Sequence, residues 1–462
     1  MRAALMAAVG AVAVTTAGAR AQTFTLQDAL VAAYSSNPTL LSARAQLRSV
    51  DEQVPQALAG WRPTVVISGS AGYADGTYHT TSQFETTDTR NARDLFTAQA
   101  TLTQPVYRGG ATRAGTNQAD NRVFAQRAAL MATEEQVFTN VVNAYVTVIQ
   151  QQQVLALNIN NEQVLARQLQ ATQDRFRVGE ITRTDVAQAE AALAGARATR
   201  ETAEGQLQTA RGNYRQYVGV LPDKLVEPQP LKLPVKSQNE ATQLAAANNP
   251  NVIAALFTDA AARDNIDVQF SQLMPQVSIQ AAAARADNTQ VFGSRTIGGQ
   301  IVANVSVPIY QGGAEYSRVR QARQSEQQSR KQVDDTRRQV VASATQAWET
   351  LVAARSTIDS TRAQIRANEI ALEGVQREAI VGSRTTLDVL NAEQSLLNSR
   401  VTLVQNLANY IIASYGVANS IGRLTARDLN LNVPLYDETA YYNAVRDRLW
   451  GTGDYATNQP GR

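Results

Sequence analysis

The chain contains two copies of one sequence pattern, and this duplication limits the possible folds more than any other feature. The segment PVYRGG at 105–110 returns as PIYQGG at 308–313, an offset of 203 residues. The same offset relates Gly179 to Gly382. Upstream, the Asn-Pro pair at 37–38 returns at 249–250, an offset of 212. A repeat of this length predicts two similar supersecondary units rather than a short-period solenoid.

The N-terminus has the features of a secretory signal peptide. Arg2 precedes an apolar run over 3–14, and the small-x-small sequence Ala-Arg-Ala at 19–21 follows at a typical cleavage distance. We therefore predict that residues 1–21 are removed, the alternative being an ordinary N-terminal helix. The sequence has no cysteine. The exported chain then needs no disulfide machinery, and no residue near the cleavage site can carry a lipid anchor.

Composition and motifs argue against several classes of function. The formal net charge is only +3, so there is no electrostatic reason to expect nucleic acid as a partner. His79 is the one histidine, and without cysteine a soft metal site is not expected. The sequence has no Walker A loop, nucleophile elbow or dinucleotide fingerprint. We predict that the chain is not an enzyme and has no cofactor.

Hydrophobic periodicity predicts the same order of elements in each copy. A helical run over 25–59 should break at the Asn-Pro pair. Period-two alternation then predicts two strands in each copy, joined in the first copy by a polar loop over 75–93 that contains His79. The predicted strands cover about 64–74, 94–105, 275–286 and 295–309. Each has one apolar and one polar face.

Very long helices follow each predicted hairpin. The runs 111–176 and 314–380 contain no proline, and each could extend on the order of 100 Å at about 1.5 Å per residue. Glycine turns at Gly179 and Gly382 precede return helices over 183–218 and 386–421. The predicted repeats are thus 22–220 and 237–424. A proline-rich linker over 221–236 joins them, and 425–462 lies outside the repeat.

The fold class follows from the strands and the helices together. A four-stranded sheet cannot close on itself, and open edges leave backbone groups unpaired, which costs several kcal/mol each in hydrocarbon. Three copies would supply twelve strands, enough for one barrel with apolar side chains toward lipid. We predict a mainly α-helical protein with a trimeric 12-stranded membrane β-barrel. The alternative is a soluble β-sandwich inserted in a coiled coil.

The duplicated pattern resembles the TolC-type outer-membrane efflux and type I secretion channels. The two Pro-x-Tyr-x-Gly-Gly motifs and the sequence VGSRTTLDVL at 381–390 carry this resemblance over nearly all of the chain to about residue 424. It implies a homotrimer whose barrel lies in the outer-membrane lipid and continues as a helical tunnel across the periplasm. It also implies a periplasmic adaptor and an inner-membrane transporter as partners, and transport without catalysis.

The resemblance further implies a gate and an acidic selectivity ring at the periplasmic tip, where the long helices turn back. Asp388 matches a ring aspartate, and Arg384 and Asp185 match positions in the bonds that hold the tip closed. Asn391 stands where the best-known pattern has a second ring aspartate, and Ala379 replaces a tyrosine of the closing network. The constriction should therefore be less acidic, with partly different closing contacts.

A purely structural interpretation accounts for some of the same residues. Asp185 and Asp388 each follow a threonine by three residues, which fits a capping box at the start of a helix. The repeat counterpart of Arg384 is Ile181, an asymmetry that a purely structural turn would not need. A lone arginine near a turn is nevertheless most often a solvated side chain.

The resulting function is an exit duct of a tripartite export system. A periplasmic adaptor also has long helical hairpins, but its strands lie at the other end of the hairpin. An extracellular coiled-coil adhesin would lack two amphipathic hairpins. The cargo is either a secreted protein or a small toxic molecule. The absence of a lipid-anchor cysteine and the region around Tyr310 favour the protein-secretion branch.

Overall fold

The computed structural model of the protein describes residues 24–81, 84–222, 224–290 and 292–455. The predicted signal peptide, residues 1–21, lies outside these residues. The helices are α1 (Leu26–Ser36), α2 (Pro38–Asp51), α3 (Gln53–Leu58), α4 (Ala111–Arg177), α5 (Arg183–Val218), α6 (Gln238–Asn248), α7 (Pro250–Phe270), α8 (Ala314–Ile380), α9 (Thr386–Ser420) and α10 (Ala440–Val445). The strands are β1 (Thr64–Thr81), β2 (Thr86–Arg108), β3 (Gln276–Asp287) and β4 (Arg295–Ser306).

The chain divides into two compact units, and each of them draws on both copies of the repeat. One unit contains the described residues of 24–33, 140–231 and 354–412, and the other contains those of 34–139, 232–353 and 413–455. The long helices α4, α8 and α9 each contribute residues to both units. The repeat is therefore a unit of sequence, whereas compaction combines segments from the two copies.

The predicted break at the Asn-Pro pair is confirmed in both copies. Asn37 lies between α1 and α2, and its side-chain oxygen accepts a hydrogen bond from the backbone N–H of Thr39 at 2.9 Å. Asn249 caps α7 in the same way, with the N–H of Asn251 at 2.9 Å. Proline fits the first helical position because its missing N–H would have no partner there. Each pair thus ends one helix and starts the next.

The first hairpin has longer strands than the sequence analysis predicts, so the predicted polar loop over 75–93 is wrong for most of its length. β1 continues to Thr81 and β2 starts at Thr86, with the two strands paired in register to their ends. Threonine favours extended backbone. Polar cross-strand contacts hold the extension: Arg90 donates two hydrogen bonds to Asp75, at 2.7 and 3.1 Å, and His79 contacts Asp88.

The fourth strand is shorter than predicted. β4 ends at Ser306 rather than at residue 309, shortly before Pro308. Proline has no N–H to donate to a sheet and is tolerated mainly at edges and bulges. Its repeat counterpart Pro105 lies within β2, where the pairing with β3 shifts between Pro105 and Tyr107 and then continues to Arg108. The two prolines therefore have different local outcomes.

The four antiparallel strands lie in sequence order, β1-β2-β3-β4, so β1 and β4 are the two edges of the sheet. The register places the apolar positions of all four strands on one face. Val65 is opposite Leu102, which is opposite Ala281, which is opposite Ile301. Every residue of β4 is exposed, including Ile297, Ile301 and Val305. The sheet thus has an apolar face that nothing in this chain covers among the described residues.

Equivalent aromatic residues of the two copies hold the inter-repeat linker. The buried hydroxyl of Tyr145 lies 2.8 Å from the carbonyl oxygen of Phe24 and 2.6 Å from that of Val226, and it accepts a bond from the N–H of Val226. Trp348, at the corresponding position, packs against a hydrophobic cluster that includes Val235. Both positions are packing positions.

Within the described ranges, no helix combines the length and the apolarity that a membrane span requires.

Candidate functional site

The candidate site consists of the two turns that reverse the long helices, and both belong to the same compact unit. At the first turn, Gly179 has φ of 80° and its N–H bonds the carbonyl of Phe176, while the N–H of Glu180 bonds the carbonyl of Arg175 at 3.0 Å. Left-handed backbone of this kind ends many helices and favours glycine, since side chains with a Cβ are strained there.

The second turn repeats this geometry. Gly382 also has φ of 80°, and the N–H of Ser383 bonds the carbonyl of Glu378 at 2.9 Å. A Cβ added to either Gly179 or Gly382 would meet nothing within 4 Å. The glycines are thus required by the backbone conformation and not by close packing.

Capping boxes start both return helices, as the structural interpretation predicts. Asp185 Oδ2 accepts bonds from the backbone N–H and the hydroxyl of Thr182, at 2.9 and 2.7 Å. Asp388 Oδ2 accepts the same two bonds from Thr385, at 3.0 and 2.8 Å. The threonine hydroxyl accepts the aspartate N–H in return at 3.4 and 3.3 Å. Each box satisfies backbone donors at the start of a helix, with a typical contribution of about 0.5–2 kcal/mol.

The caps also hold the two carboxyl groups in the charged form. Hydrogen bonds from the Thr385 backbone and side chain lower the pKa of Asp388, and the nearby Arg384 adds to this effect. The Thr182 hydroxyl and backbone lower the pKa of Asp185, with a further contribution from Arg175. A hydrogen bond to a carboxylate favours its ionised form. Asp185 and Asp388 therefore each place a negative charge at the start of a return helix.

An ion pair bridges each turn, and the two pairs have opposite polarity. Arg384 donates from Nε to Glu378 at 2.9 Å in the second turn, and Arg175 donates to Glu180 at 2.6 Å in the first. Arg175 and Glu378 are repeat counterparts at the offset of 203. Neither Glu378 nor the Arg175–Glu180 pair was predicted from the sequence. A comparison of charges at the ends of the two long helices would have pointed to them, because Arg175 of the first copy corresponds to Glu378 of the second.

The pair in the second turn explains part of the asymmetry noted for Arg384. Ile181, its counterpart, lies in a turn that already has an ion pair of its own. Arg384 and Glu378 have about half of their side-chain surface exposed, 52% and 51%. Exposed pairs contribute only about 0–1 kcal/mol each. The pair is thus easily broken, and its glutamate favours the charged form of Arg384, whose pKa is raised.

The remaining predicted residues lie close by on α8 and α9. Asn391 is exposed one helical turn after Asp388 and on the same side of α9. Ala379 is buried, with 9% exposure, and a methyl group at this position offers no hydroxyl for a closing contact. Deeper in the unit, Leu390 packs against Leu165 of α4 and Leu193 of α5, which fixes the turns on a shared core.

The arrangement offers ion recognition but no catalytic chemistry of its own. It combines carboxylates, exposed arginines and polar amides, and the threonine hydroxyls beside the carboxylates are engaged in the capping boxes. In the part of the chain that the structure describes, no group of three or more His, Cys, Asp or Glu side chains could hold a metal ion. His79 and Asp88 lie in the extended first hairpin, with no other predicted site residue in it.

Comparison with known proteins gives consistent matches. A family model described as outer membrane efflux protein matches residues 7–220 and 241–423. The chain is 36% identical over 437 residues to the outer membrane efflux protein BepC of Brucella suis, covering 94% of this chain and 93% of that protein. It is 25% identical to the outer membrane protein TolC of Escherichia coli, covering 85% and 81%. A match at 24% identity to the proteases secretion protein PrtF of Dickeya chrysanthemi covers 89% and 91%.

Solved structures share the fold. The structure of CusC has a TM-score of 0.76 at 16% identity, covering 86% of this chain and 93% of that one. The outer membrane protein VceC of Vibrio cholerae has a TM-score of 0.74 at 22% identity, covering 86% and 96%. The helical framework and the single small sheet are thus an architecture that has been observed in other proteins.

Proposed function

Because this chain belongs to the outer membrane efflux protein family, we propose that it forms an exit duct in the outer membrane, which passes cargo from an inner-membrane transporter and its periplasmic adaptor to the exterior. Family membership decides between this function and the alternatives of a periplasmic adaptor or an extracellular adhesin. The family is one of transport channels and not of enzymes. The observation that carries the proposal is the open, apolar sheet attached to helices of 67 residues.

The sheet supports a location in lipid. Its apolar face includes Val65, Ile67, Ile297 and Ile301, each with about 67–81% of its surface exposed. Covering apolar surface of this kind stabilises the protein by about 25 cal/mol for each Å² removed from water. The opposite face of the sheet carries Ser68, Gln99 and Gln300, which suit a wet lumen. The long helices then extend into the periplasm.

The open edges support a trimer. Among the described residues, β1 and β4 each have one side without a strand neighbour, and unpaired backbone groups in hydrocarbon cost several kcal/mol each. Pairing β4 of one protomer with β1 of the next removes both edges when three protomers close a ring. The barrel then has twelve strands and no edge, as membrane barrels require.

The tip residues support a gate that selects cations. In a trimer, three copies of Asp388 converge near the axis, and Asn391 forms a neutral ring beside them. Like charges held close together attract cations. The Arg384–Glu378 pair, together with Asp185 and its neighbour Arg175, lies where the duct narrows in the resting state. Because each exposed pair is weak, engagement of an adaptor can open the tip at low cost.

The same duct architecture serves different cargo. The relatives include an outer membrane efflux protein and a proteases secretion protein. We infer that the cargo is determined by the inner-membrane partner, because relatives with the same architecture are named for efflux and for protease secretion. Co-purification of that transporter from cells identifies the cargo class.

Fractionation and mass measurement test the proposal. The protein should occur in the outer-membrane fraction, and after mild detergent extraction its protein mass should be three times that of the mature protomer. A chain with β4 shortened by deletion of 297–302 is the control, because it lacks a full edge strand and should not form the trimer. A stable detergent-extracted monomer whose strands resist protease would contradict the barrel.

A further inference from the structure

The C-terminal segment, residues 425–455, lies outside the repeat and follows a fixed course over the unit that contains the sheet; we refer to it as the strap. It begins just after α9, where the N–H of Ala426 donates to Glu134 at 2.6 Å. Further along, the N–H of Tyr436 donates to the hydroxyl of Tyr34 at 3.0 Å. The nearly fully buried guanidinium of Arg44 lies over the rings of both tyrosines, at 4.4 and 5.1 Å.

The middle of the strap runs along α2 and α3 toward the sheet. Tyr441 donates to Glu52 and Tyr442 donates to Asp120, both at 2.8 Å. The ring of Tyr442 also packs against the buried cluster that contains Val54. Two aromatic hydroxyls with acidic partners and one apolar contact fix the position of α10. The strap is therefore an ordered element along the helices that precede β1.

The end of the strap is attached where the helices meet the first strand. Arg62, two residues before β1, donates from Nη1 to the carbonyl oxygen of Arg448 at 2.7 Å. The guanidinium of Arg448 lies 3.4 Å from the ring centroid of Tyr455, which closes the chain into a turn. Between these anchors are Leu449 and Trp450.

Among the large apolar side chains of the described strap, Leu449 and Trp450 are the most exposed. Their exposed fractions are 71% and 85%, whereas the four tyrosines of the described strap are only partly exposed. Trp61, adjacent to Arg62, is 47% exposed. The bond between Arg62 and Arg448 thus holds the segment that carries these two side chains beside a residue that lies three positions before Val65.

We propose that the strap binds the periplasmic surface of the outer-membrane lipid, with Leu449 and Trp450 inserted at the boundary between the headgroups and the acyl chains. The inference rests on the proposed membrane location of the sheet. Tryptophan favours the membrane interface, where its ring is in the apolar layer and its N–H is in the polar layer. Arg446 and Arg448 precede the site together with Asp447, Asp454 follows it, and Arg62 adds a third positive charge. This charge suits lipid phosphate.

Continuity with the sheet favours lipid over a protein partner. Val65 and Ile67 lie three and five residues after Arg62, within about 10–17 Å along an extended strand. A lipid surface that covers those residues comes within reach of Trp450. The strap therefore gives each protomer a second contact with the membrane, separate from the barrel. This contact attaches the helices that precede β1 to the membrane surface.

Fluorescence of Trp450 tests the inference in the full-length protein. The variant Trp61→Phe with Trp348→Phe retains Trp450 as the only tryptophan. It is reconstituted in vesicles of phosphatidylcholine and phosphatidylglycerol, with or without bromine on the acyl chains. Because bromine quenches only fluorophores in contact with the acyl region, brominated vesicles should lower the Trp450 emission by about twofold.

Two arginine variants distinguish loss of the Arg62–Arg448 bond from a general effect of removing an arginine. Arg62→Ala removes the bond to the Arg448 carbonyl, so the quenching should be largely lost. Arg423→Ala breaks an exposed ion pair with Asp428 at the start of the strap and should leave the quenching unchanged. Equal loss in both variants would overturn the proposed attachment.

Flotation of the same vesicles distinguishes the inference from the proposed function. If the protein floats with the vesicles but Trp450 is not quenched and stays accessible to aqueous iodide, the strap does not bind lipid and the duct proposal stands. If Trp450 is shielded from iodide without bromine quenching, a protein surface covers it, which also overturns the inference. A protein that does not float contradicts the membrane location and the inference with it.

Discussion

Asp388 has two physical tasks that substitutions can separate. Its Oδ2 accepts two bonds from Thr385 and so starts α9, and its charge contributes to the proposed ring at the axis. Asparagine retains an oxygen that can accept the capping bonds but carries no charge. Asp185 has the same cap in the other copy, which makes it a matched control.

We expect Asp388→Asn to weaken block by multivalent cations applied from the periplasmic side by about tenfold, because the ring loses its charge. Asp185→Asn should change this block much less. The measurement is a titration of single-channel current in planar bilayers. If Asp388→Asn leaves the block unchanged, Asp388 acts only as a cap.

Glu135 is a buried acid that contacts the backbone just before the strap, and its ionisation affects the stability of the folded protein. It is 2% exposed, it accepts the N–H of Leu424 at 3.3 Å, and burial raises its pKa to about 8. Between its ordinary pKa of 4.5 and about 8, the folded protein holds a proton that the unfolded chain releases. The stabilisation from the protonated form is therefore present below pH 4.5 and is lost as the pH rises to about 8.

Glu135→Gln keeps the acceptor for Leu424 and remains neutral at every pH. The variant should match the parent near pH 4.5 and be more stable at pH 8.5, by on the order of 3 kcal/mol. Thermal unfolding in detergent, followed by circular dichroism, gives the comparison. The exposed Glu349→Gln on α8 is the control. As the pH rises, the unfolding temperature of the parent should fall relative to that of Glu135→Gln. No such fall would contradict a buried, protonated Glu135.

At the scale of elements, the repeat is enough to predict the order of helices and strands, the breaks at Pro38 and Pro250, and both glycine turns. It does not predict the length of the first hairpin. Residues 75–81 and 86–93 lack apolar alternation, and their pairing depends on cross-strand contacts such as Arg90 with Asp75. The course of the strap was equally unpredictable, since its contacts with Tyr34 and Glu52 join residues about 390–400 positions apart.

The tip was predictable in part for a related reason. Local spacing specifies the capping boxes, because the threonine and aspartate are three residues apart. The Arg384–Glu378 pair depends on how the chain folds back at Gly382, and no periodic pattern encodes that contact. Sequence similarity identified Arg384 but not its partner within the chain.

The extended hairpin gives a prediction about topology. Its strands are paired up to Thr81 and Thr86, and Phe84 between them is 96% exposed. An epitope inserted after Phe84 should be tolerated and should be accessible to antibody on intact cells, because the proposed topology has the helices in the periplasm and this end of the hairpin outside. Insertion after Gly76, which pairs with Asn91, is the control and should disrupt the hairpin. An epitope detected only in permeabilised cells would invert the topology.

At the scale of the whole molecule, the sheet and the tips impose complementary requirements. The sheet needs other protomers and lipid to cover its edges and its apolar face. The proposed selectivity ring needs three protomers to bring three copies of Asp388 together. The proposed threefold assembly would satisfy both requirements without any new contact inside the chain.

Single-channel recording of the purified protein in planar bilayers tests the exit duct most directly. The parent should give small, discrete conductance steps, because the proposed resting state has a closed tip. Arg384→Ala and Glu378→Ala should each raise the step by about twofold or more, since exposed pairs of this kind hold the tip weakly. Arg377→Ala, which removes a similar exposed pair with Glu373 near the end of the same helix, should not. The absence of conductance steps from the parent and from all three variants would contradict the duct.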